Sequence, residues 1–311
     1  MTITNAFKSG IRRVNGAPFV LAGVFVLTFL AALPLGLALQ QMIGDSLGAS
    51  AAAEAAASGV NYTWWQQFSE QAVGVARTFS PAIIGAGAVL DNLSSILDNR
   101  PHAVAVAGAG AAYLLAWVFL AGGILDRYAR NRRTRSFGFF AACGGYFFRF
   151  LRLGIAAGLV YLALYSWLHP LLFGAVYQAL VVDLTVEWKA FLLRAALYLV
   201  FGAILCLCNL VFDYAKVRAV VEDRRSMIGA LVAGARFIRR RPGALGLYLL
   251  DGCCFVFLVA LYVAVAPGPR MPVWWTLLVG QVYVLARLWV RLLFFASEVA
   301  FFQGALTHAE Y

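Results

Sequence analysis

Charge and histidine are what this sequence has least of. Only 13% of its 311 residues are charged and 63% are hydrophobic, whereas a soluble domain is nearer a quarter charged and half apolar. Water cannot solvate that much apolar surface, so a soluble globular protein is excluded and the solvent must be lipid. The three histidines, His102, His169 and His308, lie far apart in sequence, without the spacing of a metal site. None of the five cysteines, Cys143, Cys206, Cys208, Cys253 and Cys254, forms a C-x-x-C pair. The last four fall within apolar runs, where a free thiol behaves as a small hydrophobe. Neither H-E-x-x-H nor the phosphate-cradling G-x-x-x-x-G-K-[ST] occurs, and the glycine-rich stretch 85–87 is too short and apolar to hold a phosphate. Asp251 is a lone carboxylate within an apolar run, and a lone carboxylate is a poor catalyst. No catalytic residue, cofactor or metal is expected, and the chain reads as non-enzymatic.

What the sequence does have is long apolar runs bounded by arginine. The formal net charge of +11 would suit nucleic acid, but its distribution does not. The bases cluster at the ends of apolar runs, where they face anionic headgroups and fix topology. Membrane lipid is therefore the expected partner, and nucleic acid is not. The fold class that follows is all-α, a polytopic transmembrane helical bundle forming a single integral membrane domain over 1–311.

Six spans are expected, at 17–39, 103–125, 153–176, 190–212, 245–266 and 273–296, each near the roughly 20 residues that a bilayer core requires. The first follows Lys8, Arg12 and Arg13 like a signal peptide, but it is too long for a signal h-region and reads as an uncleaved anchor. Segment 126–152 holds seven arginines against Asp126, and segment 213–243 holds eight bases against three acids. The connections on the other side, 40–100 and 177–189, are acidic on balance. Positive loops stay in the cytoplasm, so the expected location is a cytoplasmic (inner) membrane with both termini cytoplasmic. Within the extracytoplasmic 40–100 segment, Thr63 with Gln66 has capping-box spacing and Ser80–Pro81 reads as a helix start. Ile83, Ala86, Leu90, Leu93 and Leu97 then make one face of an amphipathic helix, while Trp64 and Trp65 suit an interface.

The two basic segments resemble each other. Residues 135–149 (RSFGFFAACGGYFFR) and 225–239 (RSMIGALVAGARFIR) share Arg, Ser, Gly, Phe and Arg at a constant shift, and each follows an Asp–x₀₋₁–Tyr-Ala-base run. The simplest account is a duplicated unit, spans two and three repeated as four and five. Phe140, Phe147 and Leu151 share one helical face, as do Met227, Leu231, Ala235 and Ile238. Such helices are expected to lie flat among acyl chains, with Arg132, Arg133, Arg149, Arg152, Arg236, Arg239, Arg240 and Arg241 holding anionic headgroups on the cytoplasmic side. Depth counted from the span ends brings Asp251 level with Arg287, and Asp213 level with Arg291. Two intramembrane ion pairs are therefore expected, Asp251–Arg287 and Asp213–Arg291; the alternatives are that each arginine snorkels to the inner headgroups or that they line a substrate path.

The layout of six spans with a long first outside segment, together with Asp-Tyr-Ala-Lys…Val-Val-Glu-Asp at 213–223, resembles certain bacterial six-span membrane proteins of unknown function. These are related to the membrane domain fused to some glycerophosphodiester phosphodiesterases. The only motif-like part is 213–240, and no phosphodiesterase domain is attached, so the resemblance implies architecture and a link to membrane lipid, without catalytic residues. The function expected is that of a scaffold or lipid-interacting membrane factor. The alternative is a carrier or channel for a small anion or lipid that uses the charges of spans five and six, with Pro34 and Pro170 breaking spans one and three.

Overall fold

The computed structural model describes residues 1–48, 50–58, 61–80, 85–100, 104–132, 134–265 and 272–307, and their regular secondary structure is all helical, with no strand among them. In chain order the helices are α1 (Ile3–Asn15), α2 (Pro18–Gly48), α3 (Ala53–Ser58), α4 (Tyr62–Gln71), α5 (Gly85–Leu97), α6 (Val104–Arg130), α7 (Ser136–Ala163), α8 (Tyr177–Val181), α9 (Glu187–Val221), α10 (Met227–Arg240), α11 (Gly243–Val265) and α12 (Val273–Thr307). Six of the rods, namely α2, α6, α7 running through to α8, α9, α11 and α12, are long and apolar enough to cross a membrane. The chain is thus a multi-span helical membrane protein. Lipid offers no backbone hydrogen bonds, so each rod satisfies its own.

Both prolines are absorbed rather than breaking their spans. α2 continues through Pro34. Around Pro170 the rod widens into π-helical turns at Leu164–Leu168 and Leu171–Val176 before α8 resumes. Proline lacks an N–H and crowds the carbonyl four residues back, and a wider turn relieves both. Three left-handed residues other than glycine, Asn99, Asn131 and Asp223, lie just beyond α5, α6 and α9, a conformation that short polar side chains tolerate at helix ends.

Packing is concentrated at the end of the bundle that carries both termini. There Ile124, Leu125 and Tyr128 of α6, Leu210 to Val220 of α9, Ala244 and Leu247 of α11, and Leu288 to Phe302 of α12 form one buried core. Towards the far end the rods splay, leaving Leu159, Trp167, Phe191, Leu199, Phe257 and Leu277 exposed. So much exposed apolar surface is stable only against acyl chains. At the closest crossing, a Cβ on Gly123 of α6 would lie 2.5 Å from Cys143 Sγ and 2.9 Å from Phe139 of α7, the close approach that small residues allow between membrane helices.

α1 lies outside the six expected spans, yet it is central to this end. Ala6, Gly10 and Val14, four residues apart, are buried, chiefly against α12. Gly10 rests on Ser297, leaving no room for a Cβ. Arg13 donates to the Tyr128 carbonyl at 2.9 Å and to Gln303 Oε1 at 3.0 Å, and Gln303 donates in turn to the Ala129 carbonyl at 2.8 Å. Burial holds the Arg13 guanidinium below its ordinary pKa.

The two basic segments differ in build. α10 is a separate helix, ended at Arg241 before Pro242 and Gly243 start α11. The first segment is not a separate interfacial helix, because α7 runs unbroken from Ser136 into its span. No proline interrupts 136–163, so nothing stops the rod. At the far end, the N-cap of α4 is Asn61, whose side chain accepts from Trp64 N–H at 3.1 Å, rather than Thr63. Trp64 is buried with Phe68 against Ile43 and Leu47 of α2, and its indole N–H reaches Ser46 Oγ at 3.2 Å. Pro81 and Ile83 lie outside the described residues, and the amphipathic helix is described from Gly85 as α5.

Candidate functional site

α10 is positioned by its cap and by its small residues. Ser226 Oγ accepts from Gly229 N–H at 3.2 Å, which fixes the start of the helix. Met227, Ala230, Ala233 and Gly234 are buried, and a Cβ on Gly234 would lie 3.3 Å from Ala215 N and the Val211 carbonyl of α9. The buried face is therefore Met227–Ala230–Ala233–Gly234, packed on protein, and not the Met227–Leu231–Ala235–Ile238 face expected among acyl chains. Ala235 is exposed. The stripe that remains for lipid is Ile228, 77% exposed, and Val232, 54% exposed.

Arginines crowd beside that stripe. A cavity of about 660 Å³ between α10 and the end of α12 is lined by Arg218, Arg224, Arg236, Arg240 and Arg241, together with Ile228, Val232 and Phe302. Glu222 engages two of these bases, accepting from Arg218 at 2.7 and 3.1 Å and from Arg224. Burial alone would raise the Glu222 carboxyl, but these hydrogen bonds outweigh it and hold its pKa below the ordinary value. Arg236, Arg239, Arg240 and Arg241 are exposed and form no ion pair among the described residues. Of the other expected headgroup contacts, Arg132 is exposed, and Arg152 is exposed while donating to the Phe148 carbonyl at 3.2 Å. Arg149 is committed to protein: it pairs with Asp223 at 2.6 Å and holds that carboxyl below its usual range. Arg133 lies outside the described residues.

Neither expected ion pair forms. Asp251 is fully buried and accepts from Ser297 Oγ at 2.6 Å. Ser297 lies ten residues along α12 from Arg287, about 15 Å of helix rise. The depth count failed because span six does not end near 296 but continues to Thr307, and because Asp251 shares the buried face of Ala244 and Leu247. Asp213 is taken by Lys216, one turn along the same helix, at 2.7 Å. Arg291 stacks on Trp117 at 3.7 Å, and Arg287 lies over Tyr283 at 5.6 Å. Three of the four residues do meet. Asp213, Arg287 and Arg291 line one cavity of about 710 Å³ within the bundle, with Lys216, Asn209 and Tyr248.

Glu298 was not among the expected site residues. It is fully buried in the termini-bearing core, and neither carboxyl oxygen has a hydrogen-bond partner. Asp251 Oδ1 and the hydroxyls of Tyr128 and Tyr214 are likewise buried without one. The sequence signal was available as a single acid within the apolar run LFFASEVAFF (293–302). Among the described residues no three His, Cys, Asp or Glu side chains gather as a metal site. Gly44-Asp45-Ser46-Leu47-Gly48 carries the letters of a nucleophile motif, G-x-S-x-G. It lies in the last turns of α2 instead of a strand-to-helix elbow, and Ser46 Oγ accepts the Trp64 indole N–H. The arrangement as a whole offers cations to anions, on one face and inside the bundle. No family model, curated protein or solved structure matches this chain.

Proposed function

We propose that this protein is a non-enzymatic, lipid-interacting factor of a bacterial cytoplasmic membrane, with both termini in the cytoplasm, which holds anionic headgroups at its termini-bearing end. The observation that carries this reading is the face of α10, where exposed Ile228 and Val232 lie beside arginines without carboxylate partners and a cavity lined by five arginines. An aliphatic stripe beside free guanidinium groups matches acyl chain beside phosphate. The charge balance of the connections supports the orientation.

The test uses the full chain in detergent. Wild-type protein should retain more anionic than zwitterionic lipid in native mass spectrometry. Replacing Arg236, Arg239, Arg240 and Arg241 with Gln should weaken that preference by about 1 kcal/mol per base at low salt, and added salt should weaken it further. Equal retention by wild type and variant would remove the reading. The cations inside the bundle favour a second reading, carriage of an anionic amphiphile, which uptake into proteoliposomes would test.

A further inference from the structure

The open cleft that holds Arg287 and Arg291 does not end there. A second cavity of about 620 Å³ shares Asn209, Lys216, Arg291 and Phe295 with it. The first is polar at this junction, whereas the second is lined by aliphatic and aromatic side chains such as Leu114, Leu115, Val118 and Leu153. The charges do not balance. Lys216 is compensated by Asp213 at 2.7 Å. Arg287 and Arg291 have no carboxylate within ion-pair distance among the described residues; both remain accessible, and each rests on an aromatic ring. Uncompensated cations at membrane depth are unfavourable, and where they persist they mark a path or a ligand.

We propose that these joined cavities form one binding site for an anionic amphiphile drawn from the bilayer. Its phosphate or carboxylate head sits between Arg287 and Arg291 beside Lys216, and its hydrocarbon chain lies in the apolar cavity between α6 and α7. The head supplies the negative charge that the pair lacks, and planar guanidinium groups suit an oxyanion. The chain fills space that would otherwise be empty or wet. This site deepens the second reading given above and is separate from the basic face of α10.

Delipidated full-length protein in detergent would be titrated with dioleoylphosphatidylglycerol, dioleoylphosphatidylcholine or inorganic phosphate, with thermal stability and native mass spectrometry as readouts. Phosphatidylglycerol should bind and stabilise more than either of the others. Arg287→Gln with Arg291→Gln should weaken its binding about tenfold or more, the scale of losing charge-assisted hydrogen bonds. Gly158→Leu is the second variant. Gly158 lines the apolar cavity, and a Cβ there meets nothing within 4 Å, so the variant should fold while blocking the chain. It should lower phosphatidylglycerol binding with the cations intact, and it decides the matter if the arginine variant does not fold. The α10 arginine variants serve as the control: their overall phosphatidylglycerol retention should fall as stated above, but the share that Arg287→Gln with Arg291→Gln or Gly158→Leu removes should remain. Stabilisation by phosphate equal to that by lipid would overturn the head-and-chain site. So would equal binding of phosphatidylcholine, unchanged binding in Gly158→Leu, or loss of binding confined to the α10 variants. Failure of the α10 variants to change overall lipid retention, with this binding intact, would instead count against the headgroup-binding face alone.

Discussion

Replacing Glu298 should stabilise the protein. Its side chain is completely buried and both oxygens lack a partner. Leaving a buried polar group unsatisfied costs about 1–3 kcal/mol. Methionine has similar length, no strong polar atom and enough freedom to fit an irregular site. Counting each oxygen at the low end, Glu298→Met should gain about 2 kcal/mol. A transition entropy of about 2.1 cal/mol/K per residue makes each kcal/mol worth about 1.5 °C in a chain of 311 residues, so thermal unfolding should rise by about 3 °C. Glu298→Gln keeps two polar atoms in the same place and should gain much less. The assay is the fraction of monodisperse protein left after heating in detergent, followed by size-exclusion chromatography. A Met variant less stable than wild type would refute the reasoning, because the carboxyl would then be making a contact that its surroundings do not show. A gain in stability with a loss of lipid binding or uptake would instead mark Glu298 as a group kept for function.

Gly10→Leu would place a Cβ 2.9 Å from Ser297 Cβ and from its backbone nitrogen; overpacking of about 1–3 kcal/mol should release α1, seen as faster proteolysis within 1–16, and unchanged protection would count against the clamp. The Asp98 carboxyl is held below its ordinary pKa first by the Tyr198 hydroxyl, then by Ser94, against burial, with Arg194 and Arg100 adding to it. Because folding lowers this pKa, the stability it supplies is present above the ordinary carboxylate range near pH 4 and is lost as the pH falls through the lower folded value. Tyr198→Phe should therefore flatten the acid limb of a melting-temperature profile, and an unchanged limb would argue against this tie. For orientation, in a background with all native cysteines replaced by alanine, single cysteines at Glu70 and Thr185 should react with an impermeant thiol reagent in intact cells. Those at Arg132 and Arg240 should not, and labelling at Arg132 would invert the map.

Composition and run length alone determined that this chain crosses a membrane as helices, because a shortage of charge and runs of about 20 apolar residues leave no other solvent or secondary structure open to it. The helix stop at Pro242, and the exposure of Arg236 and Arg239–Arg241, were also legible, since local sequence decides them. Where partners lie far apart in the chain, tertiary structure decided instead. Six spans could be counted from hydropathy, but α12 continues eleven residues beyond the expected end at 296, where α1 packs on it. The helical spacing of Ala6, Gly10 and Val14 was visible, but not the surface it would meet. Depth counting brought Asp251 level with Arg287, yet depth says nothing about which face of a helix a residue occupies. The fold turned Asp251 towards Ser297 and gathered Arg287, Arg291 and Lys216 from two helices around one cavity. The spans follow from transfer free energy, which is summed residue by residue along the chain. The site depends on rotation and register between rods, and only their packing against one another sets those.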